Sequence, residues 1–213
     1  MSWMLPLPVA LPLVAAALVA ALDHVTPRRI ENAVALAAAC ASFVFSLLIL
    51  LHSEGGYVLQ WFGGWHPDHG VALGIGFVAD PLGAGMATLA SGLVVLALVY
   101  SWTYMREATL YFDILMLVFC AGMTGFSLTG DLFNMFVWFE LMGVAAYALA
   151  GFKVKELGPL QGAVNFAITN TIGAYLILLG IGLLYARTGA LNFAQLGHVL
   201  ARHTADRLVI VVP

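Results

Sequence analysis

Glu140 stands in the middle of Thr129–Phe152, "TGDLFNMFVWFELMGVAAYALAGF", flanked by Phe, Trp, Leu and Met. An ionised acid in an apolar run of this kind costs on the order of several kcal/mol unless it faces protein, water or a partner. On a helix its face carries Phe133, Phe136, Gly143 and Tyr147. Gly143 leaves room beside the carboxyl for water or for a neighbouring helix. Burial favours the neutral acid and a nearby cation favours the carboxylate. A group held between those influences can take up and release a proton. The simpler alternative is a permanently protonated glutamic acid that bridges two helices.

A second polar feature lies further along. Gln161, Asn165 and Thr169 recur at i+4 and share one helix face, and Asn170 and Thr171 broaden it. Such a stripe either hydrogen-bonds across helices or holds a wire of waters. Asp131, after "LTG", and Asp80, before Pro81, are placed to cap helix N-termini. Asp113 reads as an interfacial residue. "HPDH" (His66–His69) has too few ligands for zinc, so no metal is expected. His24, His52, His198 and His203 lie near span edges and read as solvated. Cys40 and Cys120 lie in apolar runs and read as small hydrophobes. Nucleophile elbow, phosphate loop and cofactor fingerprint are all missing from the sequence, and no cofactor is expected.

These residues need a membrane scaffold to position them. Charged residues make up only 9% of the 213, hydrophobic residues 62%, and mean hydropathy is +0.99. The balance excludes an ordinary soluble domain, and a net charge of −3 spread over loops excludes a nucleic-acid partner. With charges as punctuation, spans of about 20 residues fall at Met4–Leu22, Asn32–Leu51, Phe77–Tyr104, Leu110–Leu128, Leu132–Phe152 and Gln161–Ala186. A seventh apolar run starts near Leu208 and reaches Pro213. The fold class is therefore an all-α integral membrane protein with about six transmembrane helices and the start of a seventh. The N-terminal run lacks a basic segment before it and reads as a first span rather than a cleaved signal. Arg28, Arg29, Arg106, Lys153 and Lys155 fall on one side and Arg187, Arg202 and Arg207 on the other. That bias puts the N-terminus outside. Trp61, Phe62 and Trp65, in the long Gly-rich second loop, suit an interfacial aromatic belt. Gly173, Gly180 and Gly182 suit close helix packing.

The stretches "GFSLTGDLFNMFVWFELMGVAAYAL" and "GPLQGAVNFAITNTIGAYLILLGIGLLYARTGALNFAQLG", with "GIGFVADPLGAGM" before them, resemble a known family. It comprises the antiporter-like subunits of respiratory complex I and of multisubunit cation/proton (Mrp-type) antiporters. "LTGDLFN" leading into "FE" is most similar to the Mrp D-type subunit. The resemblance runs from about Trp61 to Gly197. It implies a proton-translocating subunit in which the fifth-helix glutamate, here Glu140, works with lysines on the sixth and seventh helices. It also implies that 1–213 is one transmembrane domain, with 1–104 as N-terminal helices and 105–213 as the truncated start of the first of two inverted repeats. Where the family's sixth helix carries a lysine before an aromatic, "GAVNFA" has Asn165. An asparagine can bond to water or to the carboxyl but supplies no positive charge.

The expectation is a proton/cation exchange subunit, with Na⁺ as the cation, in the cell membrane beside other membrane subunits. Glu140 would carry the proton, and Asn165, Thr169 and Tyr147 would organise water near it. A proton-pumping subunit of an NADH:quinone oxidoreductase or hydrogenase-like complex is the second reading. A transport-dead scaffold with a protonated Glu140 is the third.

Overall fold

A computed structural model of the chain describes residues 2–22, 26–53, 55–67, 69, 71–72, 74–104, 110–153 and 156–202. Its helices are α1 (Leu7–Leu22), α2 (Arg28–Ser53), α3 (Pro81–Tyr104), α4 (Leu110–Ser127), α5 (Leu132–Ala150), α6 (Leu157–Thr188) and α7 (Phe193–Arg202). Five of them, all but α4 and α7, are long and apolar enough to cross a membrane, and α4 is a shorter apolar helix. The seventh run, from Leu208, lies outside the described residues.

Several expected boundaries move, the second span starting at Arg28 rather than Asn32. Phe77–Ala79 belongs to a strand, β2 (Gly76–Ala79), which pairs antiparallel with β1 (Val58–Trp61), so the third span begins at Pro81. Asp80 Oδ1 accepts from the Gly83 N–H at 2.7 Å. Proline at the first helical position lacks only an N–H that would be unpaired there. The sixth span is longer than Gln161–Ala186 and ends at Gly189, whose φ of 63° closes the helix in the left-handed conformation.

α1 packs on α2 and α4, α2 on α3, and α4 on α5, while α6 packs chiefly on α5. Small side chains let the inner helices approach closely, which is how helices associate in lipid. Ala15, Ala16, Ala35, Ala39 and Cys120 form one cluster with Val94, Leu98 and Leu117. A second cluster, around Leu5, Val9, Phe77, Ala84, Ala121 and Leu128, lies at the hairpin end. A Cβ on Gly122 would lie 2.9 Å from the Met142 backbone nitrogen, so α4 and α5 touch backbone to backbone. Gly125 holds the Trp138 ring in the same way.

Several buried polar groups inside this half are paired, although the buried Ser46 Oγ on α2 is not. Pro12 sits within α1 and offers no N–H to the Pro8 carbonyl one turn earlier. Ser42 Oγ on α2 donates to that carbonyl at 2.7 Å, and Thr124 Oγ1 on α4 lies 3.4 Å from it. Near the other end, Asp113 is buried. The Asn32 amide nitrogen donates to its Oδ2 at 2.9 Å and to the Arg28 carbonyl at 3.1 Å, the orientation that satisfies both ends of the amide. Glu31, also buried, accepts from Thr26 Oγ1 at 2.9 Å.

Candidate functional site

Asp131 starts the segment that holds Glu140. Its Oδ1 accepts from the Asn134 N–H at 2.6 Å and caps α5. Burial raises the Asp131 carboxyl above the usual carboxylate range, against the lowering pull of the Asn134, Gly76 and Phe133 amides. The preceding "LTG" is pinned on two sides. Val78 N–H donates to the Leu128 carbonyl at 2.8 Å and Gly130 N–H to the Gly76 carbonyl at 2.9 Å, fixing it to β2. Asn192 Nδ2 donates to the Gly130 carbonyl at 3.1 Å, while Asn192 Oδ1 accepts from Ala194 N–H at 3.1 Å and caps α7. The "LTGDLFN" motif is thus the junction where the hairpin, α5 and α7 meet. Cavities of about 440 Å³ and about 150 Å³ flank this junction, the smaller lined in part by Asp131, Tyr185 and Asn192.

From that anchored start, Glu140 is about 12 Å along α5 at 1.5 Å per residue, close to the middle of Leu132–Ala150. Its side chain is half-buried, and its Oε1 is buried with no hydrogen-bond partner. Trp138 Nε1 is also buried and unpartnered. It belongs to the opposite side of α5, packed on Gly125 and, at a ring separation of 6.2 Å, on Phe77.

The space beside Gly143 is filled by a neighbouring helix. A Cβ on Gly143 would lie 2.6 Å from Asn170 Nδ2 of α6. One turn away, the Tyr147 and Phe166 rings meet edge to face with centroids 6.3 Å apart. A further turn on, a Cβ on Gly151 would lie 2.7 Å from that of Ala163. Ala163, Phe166, Asn170 and Ala174 therefore form the α6 side of the seam.

The expected polar stripe lies elsewhere. Gln161, Asn165 and Thr169 are exposed, on a face of α6 centred about 145° from the seam at 100° per residue. Thr169 Oγ1 donates to the Asn165 carbonyl at 2.9 Å, a bond within its own helix. Tyr147 is brought to the seam, whereas Asn165 and Thr169 are not brought to Glu140. Asn170, grouped with the stripe by sequence, belongs to the opposite side. The 3–4 spacing of Ala163, Phe166, Asn170 and Ala174 was the available signal. Gly173 and Gly182 have no heavy atom within 4 Å of a Cβ position, so they make no close helix contact here; Gly180 is buried. Among the described residues no three His, Cys, Asp or Glu side chains are grouped to hold a metal. Asp68 of "HPDH", like His24 and His203, lies outside the described residues.

Two family models match the chain. "NADH:quinone oxidoreductase/Mrp antiporter, TM" matches residues 129–211, and "NADH-Ubiquinone oxidoreductase (complex I), chain 5 N-terminus" matches 65–112. The chain belongs to the antiporter-like membrane subunit superfamily. A Rhizobium meliloti relative, named as the probable D-type subunit of a K(+)/H(+) antiporter, is 34% identical over 93% of this chain and 37% of its own length. The N-type subunit of the Desulforudis audaxviator NADH-quinone oxidoreductase is 38% identical over 70% of this chain and 29% of its own. The chain thus spans well under half the length of these relatives. Within the superfamily, its structure matches a chain of the Mrp complex from Dietzia sp. DQ12-45-1b with a TM-score of 0.82 at 25% identity. That match covers 100% of this chain and 42% of the other. A chain of an archaeal membrane-bound sulfane sulfur reductase shares the fold at a TM-score of 0.87 and 23% identity, over 98% of this chain and 42% of that one. The antiporter-like subunit fold expected from sequence is the fold of this chain, and membrane antiporter-type subunits are its relatives.

Proposed function

We propose that this chain is the proton-translocating part of a subunit in a multisubunit monovalent cation/proton antiporter, with Glu140 as the proton carrier. The observation that supports this reading is the buried, unpartnered Glu140 Oε1 at mid-span, where a carboxyl has little structural reason to be kept. Tyr147 shares its helix face. Asn165 and Thr169, facing away from α5, would organise water only for a path on the far side of α6. Na⁺ is the proposed cation, with K⁺, named for the Rhizobium relative, as the competing one. The proposed setting is the cell membrane, N-terminus outside, beside other membrane subunits, with 105–213 as the start of the first inverted repeat. Neutral and charged Glu140 would alternate as a cationic group elsewhere in the complex approaches and withdraws.

The second reading, a proton-pumping subunit of a quinone-reducing complex, draws on the likeness to the Desulforudis oxidoreductase subunit. Inside-out vesicles carrying the full-length subunit with its native partners separate the two. After an imposed acidification, addition of Na⁺ or K⁺ releases luminal protons from an antiporter without any reductant. No release with either ion, together with NADH-driven acidification, supports the pump. No response to ions or reductant supports the scaffold.

A further inference from the structure

Asn170 enters α5 where that helix has no side chain. Its Nδ2 occupies the notch at Gly143, 2.6 Å from where a Cβ would stand. Gly143 follows Glu140 by three residues on the same face, and side chains so spaced start about 5–6 Å apart. The seam also shows which α6 residues lie across from Glu140. Gly151 meets Ala163, Tyr147 meets Phe166 and Gly143 meets Asn170, so the helices run antiparallel, one turn per pair. One turn further, Glu140 comes opposite Gly173 and Ala174. Ala174 is 2% exposed and has no polar atom to offer, and Gly173 has no heavy atom within 4 Å of its Cβ position. Asn170 is the polar α6 side chain nearest to the carboxyl along this seam. Asn165 lies on the far face of the helix.

We propose that Asn170 is the positioning residue for Glu140, its amide completing the hydrogen bonding of the carboxyl across the Gly143 notch. This inference rests on Glu140 as the functional carboxyl of the proposed reading. A carboxamide suits both forms of that group. Its N–H₂ donates to a carboxylate, and its oxygen accepts from a protonated carboxyl. A lysine could only donate and would favour the charged form. Asn170 therefore holds the side chain in place without fixing its charge, and leaves the charge to a group elsewhere in the complex.

Difference infrared spectroscopy on the full complex in lipid tests this, with the Glu140 carboxyl band assigned through Glu140→Gln. Loss of a hydrogen bond moves the carboxyl C=O stretch to higher frequency. Asn170→Ala and the similarly shaped Asn170→Leu should both move it up, Asn170→Ser should restore part of the shift, and Asn165→Ala should leave the band in place. Coupled transport should fall about tenfold in Asn170→Ala, the scale of one hydrogen bond to a charged group. A band unmoved by Asn170→Leu, or moved as far by Asn165→Ala, overturns the proposal. Normal transport in Glu140→Gln would defeat the proton-carrier reading, while a band shift in Asn170→Ala would still establish the pairing.

Discussion

The α1–α4 side and the α5–α6 seam differ in how they treat buried carboxyl groups. In the first, the carbonyl freed by Pro12 is met by Ser42 and Thr124, Asp113 by Asn32, and Glu31 by Thr26. In the second, Glu140 keeps a buried oxygen without a partner while Asn170 stands in the notch one turn away. Lipid offers no hydrogen bonds, so a helix that buries polar groups must satisfy them internally. On the first side both carboxyls, Asp113 and Glu31, are met, while the Ser46 hydroxyl is left without a partner. An unmet carboxyl at mid-span, costlier than an unmet hydroxyl, therefore reads as a place where a group has to change partners.

Substitutions on the two sides should separate packing from chemistry. Gly122→Leu drives a side chain into the Met142 backbone and should cost the most, about 3 kcal/mol or more, because backbone cannot yield as a side chain can. Thermal unfolding in detergent and recovery of assembled complex would both fall. A variant as stable as the parent would mean that α4 and α5 are not in backbone contact. Asp131→Ala removes the α5 cap and should cost about 1 kcal/mol. Asp131→Asn, which keeps a capping oxygen, should recover most of that. If both variants melt alike, the carboxylate acts there through charge rather than through the cap.

The smallest effect is the most specific. Ser42→Ala withdraws a donor from the Pro8 carbonyl and should cost about 0.6 kcal/mol, the usual scale of an interhelical hydrogen bond in lipid. Pro12→Ala returns the N–H within α1, so Ser42→Ala made on that background should be nearly neutral. A double-mutant cycle reads the coupling directly. Additive effects would show that Ser42 does not serve the carbonyl left open by Pro12.

Hydropathy made the membrane helices legible, and local turn chemistry made Asp80 and Asp131 legible as caps. It failed where one apolar run changes conformation. Phe77–Ala79 continues the hydropathy of α3, and only the Asp80–Pro81 pair marks the boundary. The strand itself depends on pairing with Val58–Trp61, a non-local contact that a Gly-rich loop does not advertise. α7 is too short and polar to register as a span. Glu140 was conspicuous because it was costly. Its α6 neighbour was not, because the seam is built from small and aromatic residues, whereas the regular polar row of Gln161, Asn165 and Thr169 drew attention to the opposite face. Polarity marks a helix face; which neighbour it meets is settled by packing.

The contrast between the two sides turns on whether the unpartnered carboxyl at mid-span carries a proton. The decisive measurement is cation-driven proton release from inside-out vesicles, made on the full complex with Glu140→Gln beside the parent and with assembly checked on native gels. Coupled transport should be lost while assembly is unchanged. Parental transport by a normally assembled Glu140→Gln complex would contradict a proton-carrying role for Glu140.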